Sequence, residues 1–418
     1  MSEISGVLAR EVLDSRGRPT VEVEITAGAF RGRAIAPSGA STGAAEAWEL
    51  RDGGERYDGL GVRQAVDNVN QVISPALVGS DPAKQASVDQ ILLDLDGTPQ
   101  KKRLGGNAML AVSLAASHAA AAMAGVPLHT HFHRLMDEVD ESDLQPAMPT
   151  PMTNMISGGL HAGGNLDFQD VLAIPVRRVD YPLLLEWLVK IYNRLGRLLQ
   201  DAGMEGRLVG DEGGFGPRLG GNREAVEFVV RAIEAAGLTP GDDVAIALDV
   251  AATHFFADGR YQLRAEEVSL SSSEMVDRLE AWTNDLPIVS IEDGLAEEDW
   301  EGWTELTERL GDRVRLVGDD LFTTNTERIQ RGIDAGAGNS VLVKMNQIGT
   351  ISETLAAIAL ARRADMSFVV SARSGETEDA SIADLAVGVA APEIKIGSIV
   401  RSERLAKYNQ LLRLAEQL

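Results

Sequence analysis

The most constraining feature of this chain is a regular alternation of short apolar, β-branched runs with helix-patterned stretches. The runs are Val244–Asp249, Pro287–Glu292, Val314–Asp319, Ser340–Lys344, Phe368–Ser371 and Glu393–Ile396. Helix-like segments lie between them, at 274–284, 298–310, 326–335, 350–364 and 380–390. Such alternation argues for a parallel sheet with crossover helices. Strand-like runs near 171–176 and 205–210, with helices at 181–202 and 223–236, bring the total to about eight strands, the number that closes a TIM-like (βα)8 barrel. The six later runs end at or near a polar residue: Asp249, Glu292, Asp319, Lys344, Ser371 and Lys395. In such a barrel these ends share one mouth. Any one of them reads equally well as a turn former; three acids and two lysines in register point to a site.

Residues 1–35 hold two alternating stretches, Val7–Asp14 and Thr20–Ile25, separated by the turn Ser15–Pro19, and read as antiparallel strands. Pro37–Gly43 is small and breaker-rich, a loop expected to be mobile. Stretches 61–78, 84–95 and 106–124 carry helical patterning. The expected organisation is an N-terminal α+β domain over 1–135, a polar, proline-bearing linker over 136–150 and the barrel over 151–418.

A net charge of −24 repels phosphate backbones and anionic lipid, so neither nucleic acid nor a membrane is an expected partner. The lack of cysteine excludes disulfides, thiolate metal sites and cysteine nucleophiles. No apolar run is read as reaching the ~18–20 residues of a membrane span. Residues 1–10 lack a basic stretch followed by an apolar core, and the expected location is cytoplasmic. The chain has no P-loop, dinucleotide fingerprint or serine nucleophile elbow.

Asp249, Glu292 and Asp319 bring carboxylates to one mouth, where they repel one another unless a cation intervenes. All-oxygen ligands favour magnesium over zinc or copper. His129, His131 and His133 alternate, but they follow an alanine-rich helix and Gly125-Val126-Pro127. They read as a partly exposed turn entering another helix rather than as ligands. Only seven of the 39 basic residues are lysine. Two of these, Lys344 and Lys395, read as neighbouring strand ends beside the acids. A partly desolvated lysine near other cations has a lowered pKa and can act as a base. A carbon acid beside a carboxylate is so weak that its dianionic intermediate needs concentrated positive charge, which magnesium and a second lysine supply. Glu212, in the glycine-dense loop 210–217, can donate a proton to a leaving hydroxyl. Arg373 with Ser374 suits a phosphate.

The motifs Leu13–Gly17, Pro37–Gly43, His161–Asn165, Gly210–Gly214, Ser290–Asp293, Gly318–Leu321, Lys344–Thr350, Arg373–Asp379 and Arg401–Arg404 together resemble enolase over essentially the full length. The resemblance implies a domain capping a barrel that opens with a ββαα unit, two magnesium ions, and conversion of 2-phosphoglycerate to phosphoenolpyruvate in glycolysis. It implies Lys344 as the base that takes the C2 proton and Glu212 as the acid that helps expel the C3 hydroxyl. It implies Asp249, Glu292 and Asp319 as ligands of one magnesium, and Ser41 as a ligand of the second. Lys395 resembles the lysine that holds the substrate carboxylate, Arg373 and Ser374 the phosphate binders, while His161, Gln169 and Asp170 line the pocket. Dimers or octamers of the family imply a homo-oligomer.

Departures from the family pattern cluster in the pocket. Ala372 stands where the family has histidine, Asp170 where it has glutamate, Val250 and His254 where it has cysteine and glutamate, and Ala45 where histidine is frequent. The acids and lysines are kept; the hydroxyl and phosphate side is altered. Three readings follow. One is a glycolytic enolase with drifted pocket residues. Another is a paralogue acting on a modified phosphorus-bearing three-carbon acid, like the enolase-like carboxyphosphonoenolpyruvate synthase of phosphinate antibiotic pathways. The third is a non-catalytic binding protein on the same fold.

Overall fold

The computed structural model describes residues 2–39, 43–140 and 144–418. In the N-terminal domain β1 (Ile4–Leu13), β2 (Pro19–Ala27) and β3 (Phe30–Ile35) form an antiparallel meander. β3 adds to the two expected strands. Its outward residues are Arg31 and Arg33, and its inward ones are only Gly32 and Ala34, so its alternation carries little apolar signal. Gly32 is a close-approach position: a Cβ there would lie 2.1 Å from Ala115 O and 2.3 Å from Ala119 N. The helix Gly106–Ala124 therefore rests on the sheet backbone itself. By length and composition this 19-residue helix could cross a membrane, contrary to the sequence expectation, but 78% of its apolar window is buried inside the protein. A helix apolar all round is what the centre of a domain requires. The histidine segment, expected as a partly exposed turn, lies within the helix Leu128–Val139, where His129 and His131 are buried. Pro127 precedes that helix and starts it a residue before the first histidine.

The larger unit begins with β4 (Thr150–Ser157), β5 (Asp170–Pro175) and β6 (Val244–Asp249). A small meander outside the barrel follows, β7 (Phe256–Ala257), β8 (Arg260–Leu263) and β9 (Val268–Leu270). Then come β10 (Ile288–Glu292), β11 (Arg315–Gly318), β12 (Ser340–Val343), β13 (Ser367–Ser371) and β14 (Glu393–Gly397). The closed order is β4-β5-β6-β10-β11-β12-β13-β14, with β14 returning to β4.

Two expectations are corrected. Segment 205–210 contributes no barrel strand; it is a loop whose Val209 bridges to Phe215, and Phe215 in turn bridges to Ile156 of β4. Its place is taken by β4, whose Thr150, Thr153, Asn154 and Ser157 disguise a buried strand. The barrel is also not wholly parallel, since β5 runs antiparallel to both β4 and β6. The helices Tyr181–Asp201 and Asn222–Ala235 then lead to β6, which is the ββαα opening that the resemblance implies.

Candidate active site

Strand periodicity delivers the site. A compact apolar cluster of the barrel contains Ala247, Val317, Leu342 and Val369. Two residues further along each strand direction, on the same face, stand Asp249, Asp319, Lys344 and Ser371. The reversed direction of β5 puts its first residue at this mouth, so that Asp170 pairs with Asp249, itself level with Glu292. Lys395 is level with Ser371 but sits inside β14 rather than at its end. β13 separates it from the strand of Lys344, so the two lysines are not on neighbouring strands as expected. Curvature of the barrel brings both to one cavity of about 30 Å³. That cavity is also lined by His161, Gln169, Glu212, Asp249, Asp319, Arg373 and Ser374. Glu292 joins through Lys395 and Asp170 through His161. Ser41 lies outside the described residues.

Charge pairing within the cavity is dense. Lys395 Nζ is 2.7 Å from Asp249 Oδ2 and 2.7 and 2.8 Å from the two Glu292 oxygens. Lys344 Nζ is 2.5 Å from Asp319 Oδ2. Gln169 Nε2 donates to Asp249 Oδ2 at 3.1 Å. The expected lowering of the Lys344 pKa is not met. Burial is the largest influence and pushes it down, but the nearby carboxylates, Asp319 foremost and Glu292 with it, together raise it above its ordinary value. Burial and the adjacent Asp249 push Glu292 well up despite Lys395: the acids want more positive charge than two lysines bring. Asp249 and Glu292 converge on Lys395 while Asp319 engages Lys344, so the three expected ligands do not share one point. Among the described residues, two groups have ligand atoms within 4.8 Å of one another: Asp293, Asp319 and Asp320, and His161, Asp170 and Glu212. The first group, all oxygen, is the kind of donor set a hard divalent cation takes.

On the opposite side, His161 Nδ1 pairs with Asp170 Oδ2 at 2.9 Å, and its Nε2 is 4.0 Å from Glu212 Oε1. Burial works against its protonation, yet Asp170 and Glu212 raise its pKa to about 9. Burial likewise opposes ionisation of Glu212, but His161, Arg404, Lys395 and Lys344 bring it down to about 2. Glu212 is thus an ionised carboxylate rather than the expected protonated acid, and the proton beside it is on His161.

Several working residues are given no role by the sequence reading. Asp293 takes a left-handed backbone conformation, φ 43°. Its two oxygens each accept a backbone N–H, from Asp319 and Asp320, at 2.9 Å, which aims Asp319. Fully buried Arg404 donates to the carbonyls of Arg373, Ser374 and Ile396. Lys407, also fully buried, pairs at 2.8 Å with Glu376, whose Oε1 accepts the Arg373 N–H. Asp293, Glu376 and Arg404 each stand within a recognisable stretch, whereas Lys407 lies just beyond the Arg401–Arg404 motif.

The N-terminal domain reaches this mouth: Ser38 and Gly375 exchange backbone hydrogen bonds at 2.8 and 2.9 Å. A barrel opened by an antiparallel pair, met at its mouth by an α+β domain, with lysines set among carboxylates, defines a class of acid–base enzymes. Residues 4–132 match the family model described as the enolase N-terminal domain, and residues 145–418 that of the enolase C-terminal TIM barrel domain. The chain belongs to the enolase family.

Proposed function

We propose that the chain is a magnesium-dependent lyase that takes the C2 proton of 2-phosphoglycerate and expels its C3 hydroxyl, giving phosphoenolpyruvate and water. The observation that carries this reading is one cavity lined by Lys344, Lys395 and Arg373 and also by Glu212, Asp249 and Asp319. Asp249, Glu292 and Asp319 would hold magnesium, which when bound stabilises the charge gathering on the substrate carboxylate. Lys344 accepts the C2 proton once Asp319 is engaged elsewhere and no longer holds the ammonium charged. Lys395 orients the carboxylate, and Arg373 with Ser374 the phosphate. The hydroxyl leaves toward the Glu212–His161 pair, in which the imidazolium holds the proton and Glu212 is poised to relay it.

A second reading, action on a modified phosphorus-bearing acid, is favoured by one observation. Ala372 lines the cavity next to Arg373, and its methyl leaves room for a bulkier phosphorus group. Turnover of 2-phosphoglycerate with magnesium, measured for the native chain and for Ala372→His, separates the two. Rapid native turnover supports the first reading. Negligible native turnover, partly restored by the histidine, supports the second.

A further inference from the structure

Glu46 belongs to the N-terminal domain, yet its carboxylate is buried among groups of the barrel mouth. Its Oε2 accepts from Arg373 Nη1 at 2.8 Å. Its Oε1 accepts from the Gly43 N–H at 3.0 Å and from Gln347 Nε2 at 3.3 Å. Gln347 is fully buried, and the same amide nitrogen donates to Asp319 Oδ1 at 2.7 Å. The amide oxygen of Gln347 accepts from Thr324 Oγ1 at 2.7 Å; the two carboxylate acceptors at the other end, Glu46 and Asp319, require the nitrogen there. One carboxylate from one domain therefore touches two arms of the other. The first arm ends at the guanidinium read as a phosphate binder, the second at a carboxylate read as a cation ligand.

We propose that Glu46 is a positioning residue that orients Arg373 for a phosphate and, through Gln347, Asp319 for a divalent cation; the inference rests on the functional reading above. A guanidinium has several donors but one plane, so a fixed carboxylate on Nη1 decides where the others point. A metal-ligating carboxylate is likewise aimed by the donor on its second oxygen.

The two oxygens of Glu46 let the arms be cut separately. Glu46→Gln can keep an acceptor toward Gly43 and Gln347 while presenting an N–H to Arg373, donor against donor. Gln347→Leu cuts only the arm to Asp319, and Glu46→Ala cuts both. The full-length chain and each variant are titrated calorimetrically with Mg2+ alone and, at saturating Mg2+, with inorganic phosphate. Glu46→Gln is expected to weaken phosphate about tenfold and leave Mg2+ within about twofold; Gln347→Leu gives the reverse pattern. Glu46→Ala weakens both, and adding Gln347→Leu to it costs no further Mg2+ affinity, because one chain of contacts is broken twice. The inference is overturned if Glu46→Gln leaves phosphate affinity unchanged or weakens both ligands equally. It is also overturned if Glu46→Ala lowers only the melting temperature. A native chain that binds neither ligand overturns the functional reading as well, whereas native binding with unresponsive variants overturns this inference alone.

Discussion

Lys344 and Glu212 show how a residue's chemistry is set by what stands within a few ångströms of it. Lys344 is a half-buried amine whose pKa is raised because Asp319, 2.5 Å away, and Glu292 together outweigh burial. Glu212 is a buried acid that remains a carboxylate because of the cations around it. Both pKa shifts run against the proton transfers of the proposed reaction, so that reaction requires binding to redistribute charge first. If Lys344 is the base, Lys344→Ala will abolish exchange of the C2 proton of 2-phosphoglycerate with deuterated solvent, followed by NMR in the presence of Mg2+. Exchange that persists at the native rate would place the base elsewhere.

At the scale of elements, the N-terminal domain depends on how closely one helix approaches one sheet. Gly32→Ala would push a methyl group into the backbone of the helix Gly106–Ala124, and neither backbone can yield cheaply. A loss of about 2–3 kcal/mol is expected, read from denaturant unfolding; a change too small to measure would mean that strand and helix separate freely. The helix Leu128–Val139 carries a different sensitivity. Burial, with Arg134 and His118 nearby, lowers the His131 pKa to about 4, whereas the unfolded chain titrates near 6.5. Between these values the unfolded state binds the extra proton, so stability is fully present above ~6.5 and lost as pH falls toward ~4. Replacing His131 with glutamine should flatten that part of the stability–pH curve by about 2–3 kcal/mol. An unchanged curve would show that another group governs it.

At the scale of the whole molecule, the two domains are joined by partly buried polar contacts as well as by chain. Lys101 meets Glu353 at 2.6 Å, and the Asp89 carboxylate accepts the Ser352 N–H at 2.8 Å. With Ser38 and Gly375 paired, the smaller domain is held at the mouth where Arg373 sits. The excess acid at that mouth makes stability responsive to a divalent cation. Magnesium at a hundred times its dissociation constant should stabilise the folded chain by about 2.7 kcal/mol, seen as a higher melting temperature that a chelator reverses. No shift over millimolar magnesium would remove the metal from the proposal.

Side-chain direction alternates along a strand whatever surrounds it, so the amino-acid order by itself determined that Asp249, Asp319, Lys344 and Ser371 share the face of the apolar residues two places before them. It also determined the later strand–helix units and, through its motifs, the family. The disguised strand β4, and the return of β14 to it, followed from how the sheet closed. Only the docking of the two domains decided that Glu46 meets Arg373, residues far apart in the chain. The pKa shifts of Lys344, Glu212 and His161 were decided by the packing of the barrel mouth itself, because electrostatic work depends on distance and solvent exclusion in space, neither of which chain spacing encodes.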